Sequence, residues 1–185
     1  PLTETRIKGS IPILNKPLLV QMADLLEETS IIDKIVFVIS PGQEKEIQSL
    51  FINKDYFKKI DAVIQDPPKG TADAVAQAEP YMDNAAECLV LNGDILASLN
   101  TIIPELITKH KKVKAKCTLA VFPGKGTRYG LLKLTNDGKV LDIKEKVANS
   151  EKTDARGYIN AGIYLFDRQI FDAIRSTPLS EREEY

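Results

Sequence analysis

The sequence has few of the residues that most often bind zinc or form disulfides, with two cysteines and one histidine among 185 residues. Cys88 and Cys117 lie in separate apolar runs, without a Cys-x-x-Cys pair or a metal-ligand spacing. This pattern argues against a disulfide scaffold and against a zinc site. We therefore expect both residues to be buried free thiols in a protein of a reducing compartment.

The sequence also lacks a strong charge of either sign and a long apolar run. Its net charge of −1 gives no reason to expect nucleic acid or an anionic membrane as a partner. No apolar run approaches the roughly 18 residues of a membrane-spanning helix, and no signal-peptide pattern is present. With 43% hydrophobic and 28% charged residues, the composition predicts one cytoplasmic α/β domain with a sizeable core.

The first two thirds of the sequence alternate between helical and strand-like patterns. Apolar residues recur at helical spacing between Leu18 and Leu26, and residues 35–39 form an apolar run typical of a strand covered on both faces. Residues 130–134 and 140–144 flank an Asp-Gly turn and predict a β-hairpin. The whole pattern predicts an α/β protein with a Rossmann-like, three-layer fold, a mainly parallel mixed sheet and this late β-hairpin.

Residues 62–75 form the stretch that first suggests a ligand site. A short apolar strand ends at Gln65, a prolyl loop follows, and Gly70 and Thr71 open an alanine-rich helix with Thr71 as the predicted N-cap. A helix N-terminus has unpaired N–H groups that favour an anion, and Gly70 lets a ligand approach the backbone closely. The alternative is an ordinary strand–loop–helix corner.

A second apolar strand, residues 88–91, ends in Asn92, Gly93 and Asp94. Open parallel sheets bind ligands beyond the carboxyl ends of their strands, so we expect this corner and the Gln65 corner to lie at one edge of the sheet. A carboxylate there suits Mg²⁺, which takes few protein oxygens and completes its shell with water or phosphate oxygens. The alternative is a solvated turn at the end of a strand.

These segments together resemble the sugar-1-phosphate nucleotidylyltransferases, the pyrophosphorylase family that makes UDP-, dTDP- or GDP-sugars. The resemblance covers essentially the whole length, and its strength lies in the order and spacing of the matching segments. Those segments are residues 1–8, 11–19, 65–75, 91–94, 128–130, 143–146 and 158–164. The resemblance implies the nucleotide-diphospho-sugar transferase type of α/β fold.

The resemblance also implies roles for residues near the nucleotide. Lys8 matches the lysine that neutralises the nucleotide phosphates, and Asp94 matches the aspartate that binds catalytic Mg²⁺. The side-chain amide of Gln65 matches the group that reads the base edge. The implied nucleotide-binding set is Gln65, Gly70, Thr71 and Gly93.

A further set matches the residues that hold the sugar. Gly130, Glu145 and Asn160 correspond to positions that bind the sugar through its hydroxyl groups and the main chain, and Lys146 matches a lysine that reaches the sugar phosphate in some members. The alternative for Glu145 is an ordinary surface residue. The alternative for Asn160 is a hydrogen bond to the protein backbone.

The reaction implied by the resemblance is nucleotidyl transfer to a sugar 1-phosphate, with pyrophosphate as the leaving group. Such a step needs in-line positioning and neutralised phosphate charge rather than a covalent protein nucleophile. UTP or dTTP is the favoured nucleotide, and UDP-N-acetylglucosamine or UDP-glucose is the first expected product. The alternative is a non-catalytic regulatory paralogue that binds nucleotide sugars. A nicotinamide site is disfavoured because no Gly-x-Gly-x-x-Gly follows a strand and opens a helix.

The family pattern also predicts what surrounds these residues. Its glycine-rich phosphate loop would precede Pro1, and a second metal-binding carboxylate would follow Tyr185. We therefore expect residues 1–185 to be a nucleotidylyltransferase domain that is incomplete at both ends. The chain most resembles microbial members in which a left-handed β-helix acetyltransferase domain follows, and such a domain would allow a homo-oligomer.

Overall fold

The computed structural model describes residues 7–56, 59–125, 131–144 and 156–180. Five α-helices and nine β-strands, with two short 3₁₀ turns at Lys8–Ser10 and Glu79–Tyr81, make up this part of the chain. The helices are α1 Leu18–Glu27, α2 Glu44–Phe51, α3 Thr71–Gln77, α4 Leu99–Val113 and α5 Ile170–Ser176. The strands are β1 Pro12–Ile13, β2 Lys16–Pro17, β3 Lys34–Ile39, β4 Lys59–Ile64, β5 Glu87–Leu91, β6 Cys117–Lys125, β7 Leu131–Leu134, β8 Val140–Lys144 and β9 Arg156–Asp167.

The strand pairings are mixed. Strands β3 and β4 form a parallel pair in register from Lys34 and Lys59 to Ile39 and Ile64. The long strand β9 pairs antiparallel with β5, β6 and β7, and β7 forms a hairpin with β8. The α/β class and the late hairpin are confirmed. However, antiparallel pairs form a larger share of the described pairings than the prediction of a mainly parallel sheet implied, because β9 has antiparallel neighbours on both edges.

The core lies between helices α1 and α4 and the strands beneath them. The apolar face of α1 is buried together with that of α4, and both belong to one cluster with β9. The buried residues of this cluster from those elements are Leu18, Leu19, Met22, Ala23, Leu26, Leu99, Ile103, Leu106, Ile163 and Leu165. Full burial of one leucine or isoleucine side chain stabilises the fold by about 1.5–3 kcal/mol. A cluster of this size therefore holds the helices and strands in place, and the loops at the strand ends are positioned with them.

The two cysteines differ in their exposure. Cys88 on β5 is partly buried, and burial raises the pKa of its thiol to about 11. Cys117 is exposed, so the prediction of two buried thiols is wrong for this residue. It is the first residue of β6, directly beyond the turn that leaves α4, where fewer neighbours cover a side chain. Within the described residues, no helix is long and apolar enough to cross a membrane.

Candidate functional site

Close packing of two glycines brings the segment containing Lys8 against the end of β5. A Cβ atom on Gly9 would lie 2.6 Å from the carbonyl oxygen of Gly93 and 2.5 Å from Cγ of Leu19. The absence of a side chain at Gly9 therefore allows this approach. As a result, the turn Lys8–Ser10 lies beside Gly93 and Asp94, and we call these two segments the Asp94 corner.

Helix α2 holds this turn in place through Glu46. The carboxylate of Glu46 accepts a hydrogen bond from the backbone N–H of Ile7 at 3.2 Å and another from the hydroxyl of Ser10. The Ser10 hydroxyl also contacts the Ile7 carbonyl oxygen at 2.8 Å. Because Glu46 lies in the first turn of α2, the helix that follows β3 fixes the position of the turn containing Lys8.

These contacts relate the carboxyl ends of three strands. Helix α2 begins shortly after β3 ends, it binds the turn Lys8–Ser10, and that turn packs on Gly93 just after β5. Strand β4 is parallel to β3 and in register with it, and the Gln65 N–H donates to the Ile39 carbonyl at 2.8 Å. The ends of β3, β4 and β5 therefore lie on one side of the molecule, as expected for a ligand-binding edge of an α/β sheet.

Lys8 and Asp94 face each other across the Asp94 corner. The Lys8 Nζ lies 3.9 Å from the Asp94 Oδ2, and the two side chains are 68% and 55% exposed. An exposed pair at this distance contributes little to folding stability, because water screens the attraction. Both charged groups therefore remain available to a ligand.

The Asp94 corner offers one carboxylate to a metal ion. Within the part of the chain that the structure describes, no group of three or more metal-ligating side chains comes together. A single exposed carboxylate nevertheless fits Mg²⁺, which is often held by one or two carboxylates while phosphate oxygens and water complete its shell. Asp94 is the residue that would hold the ion.

The Gln65 corner, residues 65–73, is held together by the Gln65 amide. Its Nε2 donates to the Gly70 carbonyl at 2.9 Å and to the Asp73 Oδ2 at 2.7 Å. The Gln65 residue is only 9% exposed. Since an unpaired buried polar group is costly, these two bonds fix the orientation of the amide.

Helix α3 begins differently from the prediction. Gly70, not Thr71, is the N-cap, with φ 95° and ψ −179°, a conformation that essentially only glycine adopts. Thr71 is the first helical residue. The helix has seven residues and carries Asp73 in its first turn. This carboxylate offsets part of the positive charge at the helix N-terminus. The binding of an anion there stays a prediction.

Asn160 lies on β9, where the pairing of β9 with β6 shifts register between Asn160 and Tyr164. Its Oδ1 accepts from the Gly162 N–H at 2.9 Å, and its Nδ2 donates to the Tyr164 hydroxyl at 2.6 Å. The Gly162 carbonyl accepts from the Asn92 N–H at 2.9 Å, two residues before Asp94. The internal backbone bond, one of the two alternatives for Asn160, is therefore present. A sugar hydroxyl could use only the remaining donor and acceptor positions of the amide.

The other three predicted sugar-binding residues lie outside the described residues. Gly130 immediately precedes β7, while Glu145 and Lys146 immediately follow β8. Their assignment remains a prediction.

The family of the chain follows from comparison with known proteins. The family model described as nucleotidyl transferase matches residues 1–185. The chain belongs to the nucleotidyl transferase family. It is 35% identical to the bifunctional protein GlmU of Methanocaldococcus jannaschii over 188 residues, covering 100% of this chain and 40% of the relative. It is 33% identical to a bifunctional sugar-1-phosphate nucleotidylyltransferase/acetyltransferase of Sulfurisphaera tokodaii over 189 residues, covering 100% of this chain and 41% of that relative.

Solved structures agree on the fold of this nucleotidyl transferase chain. HddC from Yersinia pseudotuberculosis superposes with a TM-score of 0.74 at 24% identity, covering 96% of this chain and 72% of that one. A putative glucose-1-phosphate thymidylyltransferase from Bacillus anthracis gives a TM-score of 0.72 at 21% identity, covering 100% and 72%. The chain spans about two fifths of the length of the curated relatives named above.

Sequence reasoning missed three residues that shape the two corners of this nucleotidyl transferase. Glu46 is 39 residues from Ile7 in sequence, and no local pattern links them. Asn92 was noted only as part of a turn, although its N–H connects β9 to the end of β5. Asp73 lies in the first turn of α3, eight residues after Gln65, and this short separation is the one sequence signal of their contact.

Proposed function

We propose that the complete protein transfers a nucleotidyl group from a nucleoside triphosphate, with UTP or dTTP favoured, to a sugar 1-phosphate. The products are a nucleotide sugar and pyrophosphate. UDP-N-acetylglucosamine or UDP-glucose is the first nucleotide sugar that we expect. The observation that carries the proposal is the pair of exposed charges at the end of β5, where Lys8 Nζ lies 3.9 Å from Asp94 Oδ2. Family membership supports the reaction type.

The residues of the Asp94 corner suit this chemistry. A phosphate oxygen of the sugar 1-phosphate attacks the α-phosphorus of the triphosphate, and pyrophosphate leaves in line. The Lys8 ammonium would neutralise phosphate charge during this step, and the packing of Gly9 on Gly93 would keep that ammonium in place. A Mg²⁺ ion held by Asp94 would supply further neutralisation of phosphate charge when bound.

The names of the relatives support the class of substrate. The Sulfurisphaera tokodaii relative is named as a sugar-1-phosphate nucleotidylyltransferase, and the Bacillus anthracis structure as a putative glucose-1-phosphate thymidylyltransferase. A second crystal structure of HddC is that of its complex with GMP-PN. These names favour a nucleoside triphosphate and a hexose 1-phosphate as the pair to test first.

A pyrophosphate-release screen of the full-length protein tests the proposal. UTP, dTTP, ATP and GTP are each combined with N-acetylglucosamine 1-phosphate, glucose 1-phosphate and other sugar 1-phosphates, with Mg²⁺ and with EDTA. We expect release with at least one pair, and its loss with EDTA. Nucleotide-sugar binding without release from any pair would instead support the regulatory paralogue.

A further inference from the structure

The hydrogen bonds of Gln65 restrict what this residue can offer a ligand. A side-chain amide has two N–H donors, and both of those in Gln65 are used, one by the Gly70 carbonyl and one by the Asp73 carboxylate. A carbonyl and a carboxylate can only accept, so the nitrogen of the amide must face them. The carbonyl oxygen of Gln65 is the remaining hydrogen-bonding atom, and it can only accept.

We propose that Asp73 is a specificity-determining residue that fixes Gln65 as an acceptor and thereby selects nucleotides whose base has a ring N–H. Uracil and thymine carry such a donor at N3, and guanine carries one at N1. Cytosine N3 and adenine N1 are bare acceptors that would face the Gln65 oxygen without a proton between them. This inference rests on the proposed function and on the contact with the nucleotide base that the family resemblance implies for Gln65.

The position of Asp73 suits this role better than a contact with phosphate. Its Oδ2 lies 2.7 Å from Gln65 Nε2, and its Oδ1 accepts from Gln77 Nε2 at 3.4 Å. A charged acceptor forms the stronger of the two bonds that hold the Gln65 amide. Turning that amide around would place its oxygen against the Gly70 carbonyl and the carboxylate. The orientation is therefore set before any nucleotide arrives.

The test is nucleotide binding, measured by calorimetry on the full-length protein with UTP and with CTP. These two differ at the edge concerned, where uracil has N3–H and O4 and cytosine has N3 and an amino group. We expect UTP to bind at least tenfold more tightly. Asp73→Ala should reduce this ratio by about tenfold, since it removes the stronger restraint on the amide. Asp73→Asn, whose amide oxygen can still accept from Gln65, should retain most of the ratio.

A double-mutant cycle separates this role from simple helix stabilisation by Asp73. Gln65→Met removes the acceptor and should bring the UTP and CTP affinities close together. In the Gln65→Met background, Asp73→Ala should change the ratio no further, because Asp73 acts through Gln65. Gln77→Ala serves as the matched control, since it removes the other partner of Asp73 and leaves the Gln65 bond in place.

Three outcomes decide the matter. A wild-type protein that binds CTP as tightly as UTP overturns the inference, and so does an Asp73→Ala variant with an unchanged ratio. If Asp73→Ala changes the ratio equally in the wild type and in the Gln65→Met background, Asp73 has only a structural role. That result would also overturn the inference. Because binding is measured without turnover, a failed pyrophosphate screen would contradict the proposed function alone.

Discussion

The two corners at the strand ends hold their polar groups in opposite ways. At the Gln65 corner, a nearly buried amide has both N–H donors bonded inside the protein. At the Asp94 corner, the Lys8 and Asp94 side chains are mostly exposed, and the backbone beneath them is fixed by glycine packing. A group that reads a base must be oriented in advance, whereas groups that neutralise phosphate must stay open to an ion and its water.

Replacing Asp94 should produce the largest effect. Asp94→Asn removes the charge at nearly constant size, and we expect turnover in the full-length protein to fall by roughly 10²-fold or more. Initial rates of pyrophosphate release measure this. Asp137→Asn, a change at an exposed aspartate in the β7–β8 turn, is the matched control and should leave the rate unchanged. A normal rate in Asp94→Asn would remove this residue from the metal site.

Gly9→Ala tests whether backbone packing positions the Asp94 corner. The new Cβ would collide with the Gly93 carbonyl and with Leu19, so we expect a loss of about 1–3 kcal/mol in the free energy of unfolding. Turnover should also fall, by about tenfold, because Lys8 is displaced. At Gly93 a Cβ would meet only Leu19 Cδ2, at 3.6 Å, so Gly93→Ala should be less destabilising. Equal losses of stability in urea unfolding would contradict this account.

Glu46→Ala tests the hydrogen bonds that hold the same turn. It leaves the Ile7 N–H and the Ser10 hydroxyl without their partner on α2, at an expected cost of about 1–3 kcal/mol in unfolding free energy. Glu44→Ala changes an acidic residue in the same helical turn and should cost about 0.3–1 kcal/mol. If the two variants unfold at the same urea concentration, Glu46 is not a specific restraint on this turn.

The smallest expected effect is a difference in the alkylation rates of the two thiols. Cys88 lies on β5, the strand that leads to Asp94, so its rate also reports on that strand. Burial raises the pKa of Cys88 to about 11, so its reactive thiolate is scarce at pH 8 and increases about tenfold per pH unit towards that value. Cys117 is exposed and should be alkylated first, as mass spectrometry of labelled peptides would show. Gly9→Ala should speed the labelling of Cys88 if β5 loosens. Faster labelling of Cys88 than of Cys117 in the wild type would contradict the observed burial.

Local patterns in the sequence were enough to predict the elements that carry the site. The helical spacing of Leu18 to Leu26 and the apolar run of β3 correspond to elements of the structure. The Asp-Gly turn likewise lies between β7 and β8. Side-chain periodicity predicts these elements because it depends on neighbours a few residues away. The N-cap of α3 was predicted one residue too late, because the φ of Gly70 depends on how the loop packs.

The sequence by itself determined which polar residues follow the ends of two strands, Gln65 after β4 and Asp94 after β5. The tertiary structure alone decided how each is held: Gly9 against Gly93, Glu46 across to Ile7, and Asp73 against the Gln65 amide. Strand ends follow from local periodicity, which a sequence displays. The direction of an amide and the approach of two backbones depend on distances in space, and these exist only after the chain has folded.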